Sequence, residues 1–271
     1  MTGVCSVAGM RVHVVSDVHG NVEGLARAGD GADALVVLGD LVDFIDYGDP
    51  AGGIVGTVLG AQVSTRLAEL RRTGDRNALR AYATTAWAAV GDPRALVEEA
   101  ISEQYARMFA VLSAPTWAIP GNVDVPHLWP THAGPEVALV DGRVAEIGGL
   151  RFGFVGGAPL PPGVPLRGGP AWRPNLVSWE DYEAVVDGFS GVDVLCSHVP
   201  PAIPELAYDV VTRGPEAAGP GLVELIDRDR PRAALSGHVH QPLSRRVRRG
   251  RTECVNVGYF RRDPVPYVLR W

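Results

Sequence analysis

A chain of 271 residues, 46% of them hydrophobic, is long enough for one large core and short for two full domains, and its formal charge of −6 argues against a general polyanion-binding scaffold. All 25 basic residues are arginine, which excludes Schiff-base, lysine-nucleophile and Walker-type phosphate-loop chemistry. No apolar run is long enough to span a bilayer and the first residues lack the pattern of a signal peptide, so the expectation is a single soluble, cytoplasmic domain over residues 1–271 with no membrane partner.

Arg11 to Val15 (RVHVV) reads as a buried strand that runs into Ser16, Asp17, His19 and a Gly20-Asn21 turn. Residues two apart in an extended chain share a face, so Asp17 and His19 are expected side by side. Alone, the pair fits a metal site and a helix start equally well, with Asp17 or Asn21 capping a helix over Asn21 to Arg27 and His19 incidental. A second apolar run, Ala34 to Leu38, ends in Gly39-Asp40 with Asp43 close behind. Two short strands around a helix predict a βαβ unit and a parallel sheet, whose chemistry gathers at the carboxyl ends of the strands.

Residues 47–113 shift to Ala, Leu, Arg and Glu at helical spacing and are expected to form a helical insertion. Val63, Leu67 and Leu70 would line one helix face, and Leu96, Val97, Ile101, Tyr105, Met108 and Phe109 another that starts at Asp92-Pro93. Its expected role is packing, with a lid or a homo-oligomer contact as alternatives, and its Gly-rich entry (residues 48–60) is expected to be mobile. A third strand, Thr116 to Ile119, ends in Gly121-Asn122-Val123-Asp124.

From Val137 to Val155 the pattern predicts antiparallel strands, with a hairpin at Asp141-Gly142 and a turn at Gly148-Gly149. Residues 156–174 form a long loop near the same rim. A helix over Ser178 to Gly188 precedes a strand, Val192 to Cys196, that ends in Ser197-His198. A helix over Gly221 to Asp229 precedes another, Ala233 to Leu235, that ends in Gly237-His238-Val239-His240, with two imidazoles again two apart. The tail from Leu243 to Leu269 reads as three strands with a turn at Arg248-Arg249-Gly250. Cys5, Cys196 and Cys254 have neither disulfide nor metal spacing and are expected to be core residues.

Five strand ends thus offer seven nitrogen and oxygen donors: Asp17, His19, Asp40, Asn122, His198, His238 and His240. One ion takes about four to six ligands, so the set suits a pair of ions with a shared ligand, and Asp40, with two carboxylate oxygens, suits the shared position. The ordered series Asp-x-His, Gly-Asp-x-x-Asp, Gly-Asn-x-Asp, His and Gly-His-x-His, spread over residues 11–240, resembles the calcineurin-like metallophosphoesterase superfamily. The resemblance implies an α/β chain folded as a four-layered αββα sandwich of two mixed β-sheets flanked by helices. It implies one divalent ion on Asp17, His19, Asp40 and His240, and another on Asp40, Asn122, His198 and His238. The metals open to such donors are Mn, Fe, Zn, Co and Ni, with Mn favoured. Asp43 and Asp124 match motif carboxylates that would orient ligands or site loops through hydrogen bonds.

The implied function is hydrolysis of a small phosphodiester or activated phosphomonoester by attack of a hydroxide bridging the two ions. A nuclease of the same fold and a catalytically weak, metal-stabilised protein-binding module are the alternatives, and the acidic balance disfavours nucleic acid. One position departs from the pattern: Val123 stands where most members carry a histidine that assists the departing oxygen. Some small bacterial and archaeal phosphodiesterases share that departure, and the stretch Asp46-Tyr47-Gly48-Asp49-Pro50 supports the likeness to them. His127 is either a replacement acid or a surface histidine. Asn21 is a substrate contact, a helix cap or both, and the arginines from Arg245 to Arg251 either grip phosphate or form a solvated hairpin.

Overall fold

The computed structural model describes residues 9–46, 48–166, 169 and 171–271, so that Cys5 and Tyr47 lie outside the described residues. The first half of the chain runs β1 (Arg11–Val15), α1 (Val22–Ala28), β2 (Ala34–Val37), four helices α2 (Gly53–Leu59), α3 (Ala61–Thr73), α4 (Arg76–Ala88) and α5 (Pro93–Ala110), then β3 (Thr116–Ala118), α6 (Trp129–His132) and β4 (Val137–Leu139). The second half runs β5 (Arg143–Ile147), β6 (Leu150–Val155), β7 (Ala158–Pro159), β8 (Leu176–Val177), α7 (Trp179–Asp187), β9 (Val194–Ser197), α8 (Pro204–Ala207), β10 (Tyr208–Asp209), β11 (Gly214–Pro215), α9 (Leu222–Asp229), β12 (Ala233–Ser236), β13 (Arg246–Arg249), β14 (Thr252–Asn256) and β15 (Tyr267–Arg270).

Alternation along the strands builds the layers. Val12, Val14, Ala34 and Val36 meet Phe152, Phe154, Val194, Cys196 and Leu235 in a core between two sheets. Their neighbours Val15, Leu35 and Val37 face the other way, onto Leu25 of α1 and Ile101, Tyr105 and Met108 of α5. Leu195, Ala234 and Cys254 likewise turn outward onto Tyr182 and Val186 of α7 and Leu225 and Ile226 of α9. The order helix, sheet, sheet, helix follows, and the inner strands β2, β9 and β12 are buried on both faces, which is why they read as unbroken apolar runs.

The first sheet has the order β15-β1-β2-β3-β4, with β1 to β4 parallel and β15 antiparallel at the edge. The second has the order β13-β14-β12-β9-β6-β5. Within Val137 to Val155, β5 and β6 pair antiparallel as expected, but β6, β9, β12 and β14 are all parallel to one another, and only the edge strands β5 and β13 run against their neighbours. Helices α7 and α9 supply the crossovers that parallel pairing requires. The Asp141-Gly142 hairpin is also overturned, because β4 belongs to the first sheet and β5 to the second. That turn hands the chain from one sheet to the other, held by the Asp141 carboxylate, which accepts from the Gly156 N–H at 2.6 Å. The hairpin sits one turn later, at Gly148-Gly149, between β5 and β6.

Smaller differences concern exposure and ends. Leu96 is 40% exposed and lies off the buried face of α5, while Val97, Ile101, Tyr105, Met108 and Phe109 are buried as expected. Asp92 caps α5 through a hydrogen bond from the Ala95 N–H at 3.1 Å, with Pro93 in the first turn. The Gly-rich entry forms α2, whose Ile54 and Val55 are buried in the core between the first sheet and its helices. Arg248 and Arg249 belong to β13, so the tail's turn falls at Gly250-Arg251. No helix among the described residues is long and apolar enough to cross a membrane.

Candidate metal centre

The functional side chains lie where strands end, on backbone that is not extended. Asp17 (φ 57°), His19 (φ 38°), Asp40 (φ 53°) and His238 (φ 65°) all adopt left-handed conformations, so neither Asp17 with His19 nor His238 with His240 is aligned by strand pleating. Each such residue costs roughly 1–2 kcal/mol in isolation and must be held by its surroundings. The first two strand ends hold one another: the N–H groups of Asp17, His19 and Gly20 donate to the carbonyls of Gly39, Asp40 and Leu41 at 3.0, 2.9 and 2.9 Å. Close approach explains the motif glycines. A Cβ at Gly121 would lie 2.1 Å from the Asp40 Oδ1, and one at Gly237 would lie 1.9 Å from the Ser16 Oγ.

All seven predicted donors converge. Asp17, His19 and His240 form one group and Asp40, His198 and His238 another, the ligand atoms within each lying no more than 4.8 Å apart. Asp40 faces both groups: its Oδ2 is 3.7 Å from the His19 Nε2 and its Oδ1 is 3.5 Å from the His198 Nε2. The Asn122 Oδ1 lies 2.9 Å from the His198 Nε2 and 2.8 Å from the His238 Nδ1. The Nδ1–H of His19 donates to the Val42 carbonyl at 3.0 Å and that of His198 to the Leu38 carbonyl at 2.8 Å, which aims both Nε2 atoms into the centre. The His19 Nε2 is buried there without a hydrogen-bond partner. Unshared pairs on imidazole, carboxylate and amide oxygen that converge in one buried space repel each other unless a cation lies among them, so this donor set fits divalent metal ions.

The buried carboxylates and imidazoles set one another's charge. Burial opposes ionisation of Asp17, but His240, His198 and His19 outweigh it and hold the carboxyl well below the usual range. The same contest, won by His198, lowers Asp40. Burial opposes the charge on His198, yet Asp40 and Asp17 raise it to about 9, while burial and His198 together lower His238 to about 4. A cation held by His198 is therefore expected to displace a proton from it at pH below about 9. Mn²⁺ affinity is expected to rise by about tenfold per pH unit between pH 6.5 and 8.5 and to level off near 9. Calorimetric titrations across that range check this, and a flat affinity would remove His198 from the ligand set.

Asp124 ties the loops together. Its Oδ1 accepts from the N–H groups of Leu41 and Val42 at 3.0 and 3.2 Å and from the Tyr105 hydroxyl at 3.1 Å, and its Oδ2 from the Gly121 N–H at 2.8 Å. Burial and the charge of Asp40 push its carboxyl up to about 6, which leaves it ionised at neutral pH. Asp124→Asn would turn an amide donor toward those donors and is expected to cost about 2–3 kcal/mol. Thermal unfolding in the presence of chelator measures this, and an unchanged midpoint would contradict it.

Sequence reasoning missed several supports. Arg261 pairs with Asp43 and Asp46, each at 2.6 Å, Tyr259 stacks on the His240 ring at 3.9 Å, and Gln104 accepts from the Asp43 N–H at 2.9 Å. The Asn175 amide donates to the Gly121 carbonyl at 3.1 Å, which brings the long loop to the rim. None carries a local signal, since each is an ordinary residue placed by distant chain. Asn21 caps α1 through the Gly24 N–H at 2.8 Å and donates to the Arg261 carbonyl at 3.1 Å, while also lining a polar cavity of about 550 Å³ beside His19. Thr57 of α2 and Gln104 and Arg107 of α5 line the far wall of that cavity. His127 is exposed and faces Glu98 at 4.0 Å rather than the donors. In the arginine hairpin, Arg246 pairs with Glu253 at 3.2 Å and Arg249 with Asp227.

A sequence model of the calcineurin-like phosphoesterase family matches residues 10–242. No curated protein matches the sequence significantly. Among solved structures, one superposes with a TM-score of 0.60 at 18% identity, covering 97% of this chain and 95% of the other. The protein TT1561 of Thermus thermophilus superposes with a TM-score of 0.54 at 15% identity, covering 97% of this chain and 99% of its own. These likenesses concern the fold alone. The family match spans every strand end that contributes a donor, and on that ground the chain belongs to the calcineurin-like phosphoesterase family and is a metal-dependent phosphoric ester hydrolase.

Proposed function

We propose that the protein is a dinuclear phosphoesterase that hydrolyses a small phosphodiester or an activated phosphomonoester. Asp17, His19, Asp40 and His240 would hold one divalent cation, Asp40, Asn122, His198 and His238 the other, and Mn²⁺ is the favoured metal. The observation that carries this reading is the position of Asp40, one oxygen toward each histidine group. When bound, such a pair supplies Lewis-acid polarisation of the phosphate and a water activated for attack on phosphorus.

The chain's own residues set the rest of the chemistry. Two ligand carboxylates against two dications leave a net positive centre, which selects an anionic phosphate ester. Val123 has no proton to give a departing oxygen, which favours esters whose leaving group is already stable as an anion. The cavity beside His19 would take the organic part of the ester, with Thr57 and Arg107 among its lining offering polar contacts. Its walls from α2 and α5 give the helical insertion a role in shaping the substrate as well as in packing. A cavity of about 550 Å³ suits a small molecule rather than a nucleic-acid strand.

Hydrolysis of bis-p-nitrophenyl phosphate and of p-nitrophenyl phosphate, compared with Mn²⁺ added and bound metal assayed, tests the proposal. A preference for the diester is the expected result. Bound metal with neither ester cleaved would overturn the proposed substrate class.

A further inference from the structure

We infer that Arg261 is the positioning residue of the group formed by Asp17, His19 and His240, an inference that rests on the two-cation reading above. Arg261 lies beyond the family match, which ends at residue 242, yet it grips the loop that supplies two of the three donors. Its own N–H donates to the Asp17 carbonyl at 3.0 Å and its guanidinium to the His19 carbonyl at 2.6 Å. Both of those residues have left-handed backbone, the conformation that most needs outside support. The same guanidinium reaches the Asp43 Oδ2 and the Asp46 Oδ2, each at 2.6 Å, and so joins that loop to the segment after β2. The third donor is braced by the same stretch of chain, because Tyr259 lies flat on His240 with 6° between the rings.

Only arginine suits this place. A planar guanidinium with five N–H donors can serve a carbonyl and two carboxylates at once, whereas an ammonium on a flexible stem cannot hold all three in fixed directions. The second group is secured differently: the Val123 N–H donates to Asp40 at 2.9 Å and the His198 Nδ1–H to the Leu38 carbonyl at 2.8 Å, with no contact to Arg261. Arg261 therefore acts directly on one cation position and reaches the other only through Asp40 and through the Asp17 carboxylate, which accepts from the His238 N–H at 2.8 Å.

The sign of the effect separates positioning from plain electrostatics. A fixed positive charge near a cation site weakens cation binding, so if Arg261 contributed only its charge, its removal would tighten binding. As a positioning residue, its removal loosens it. Calorimetric titration of Mn²⁺ into chelator-stripped wild type, Arg261→Gln and Arg261→Lys reads this directly. We expect wild type to bind two Mn²⁺ and Arg261→Gln to lose about 10- to 100-fold in affinity at one site, with a much smaller loss at the other. Arg261→Lys, which keeps the charge and loses the fork, should weaken the same site by about tenfold. If Arg261→Gln does not fold, the lysine variant decides alone. Two wild-type-like or tightened sites in the lysine variant, or equal weakening of both, would overturn the inference while leaving the two-cation reading intact. A single Mn²⁺ on the wild type would overturn both.

Discussion

Asp40→Asn is expected to weaken both cation positions, the one beside His19 most, and to lower phosphodiester hydrolysis by roughly 10³-fold or more, since two bound ions supply several kcal/mol of transition-state stabilisation. The reason is geometric. Asp40 is the one donor whose two oxygens face different histidine groups, at 3.7 Å from the His19 Nε2 and 3.5 Å from the His198 Nε2. An asparagine fits the same space and can still accept from the Val123 N–H through its amide oxygen. Its other end, however, becomes an NH₂ that cannot ligate and that turns hydrogens toward an ion. The fold should survive, because His198 can give up the proton that the Asp40 charge sustains. Asp17→Asn is the comparison, for Asp17 shares a ligand group with His19 and His240 and touches the other only through the His238 N–H, so its loss should weaken one position far more than the other. Elemental analysis of metal content alongside hydrolysis of bis-p-nitrophenyl phosphate measures both effects. An Asp40→Asn protein that keeps one ion at wild-type affinity would show that Asp40 is not shared.

The donors were legible in the sequence because metal chemistry restricts residue type and parallel α/β topology restricts place. A Gly-Asp, Gly-Asn or Gly-His at the end of an apolar run carries both constraints in a few letters. The backbone that presents those donors was not legible. Asp17, His19, Asp40 and His238 take left-handed conformations because loops from different strand ends dock against each other, and nothing within either loop announces that docking. Strand direction in the second sheet was hidden for a related reason. Runs such as VLCS and AALS are buried on both faces, so their pattern is the same whether the neighbour runs parallel or antiparallel. Asp141-Gly142 makes a tight turn in either case, and only the partner strands reveal that it joins two sheets. Arg261 is the extreme instance, one of many arginines in the sequence, with a hydrogen-bond partner 242 residues away.

Val123→His should raise hydrolysis of esters with poor leaving groups by roughly 10²-fold or more, within the range that a well-placed general acid supplies. The substitution is mild in structural terms. The bond that matters at this position, from the Val123 N–H to the Asp40 Oδ1, belongs to the backbone and persists with any side chain except proline. Its neighbours are fixed from both sides: Asn122 converges with His198 and His238, and Asp124 is bound to Gly121 and to the Asp40 loop. The isopropyl group is only half-buried, at the edge of the core between the first sheet and its helices, so its loss should cost about 1 kcal/mol of apolar contact. What the histidine adds is a proton at neutral pH beside the centre, where the wild type has only hydrocarbon. The benefit should grow with the basicity of the leaving group, large for alkyl esters and small for p-nitrophenyl esters, whose oxygen departs without help. The decisive plot is therefore log kcat/KM against leaving-group pKa for both proteins across a series of aryl and alkyl diesters. A shallower slope for Val123→His would identify the missing proton as the limit on this chain's substrate range. Parallel lines would mean that position 123 does not reach the departing oxygen, and that the preference for activated esters has its origin in the cavity walls.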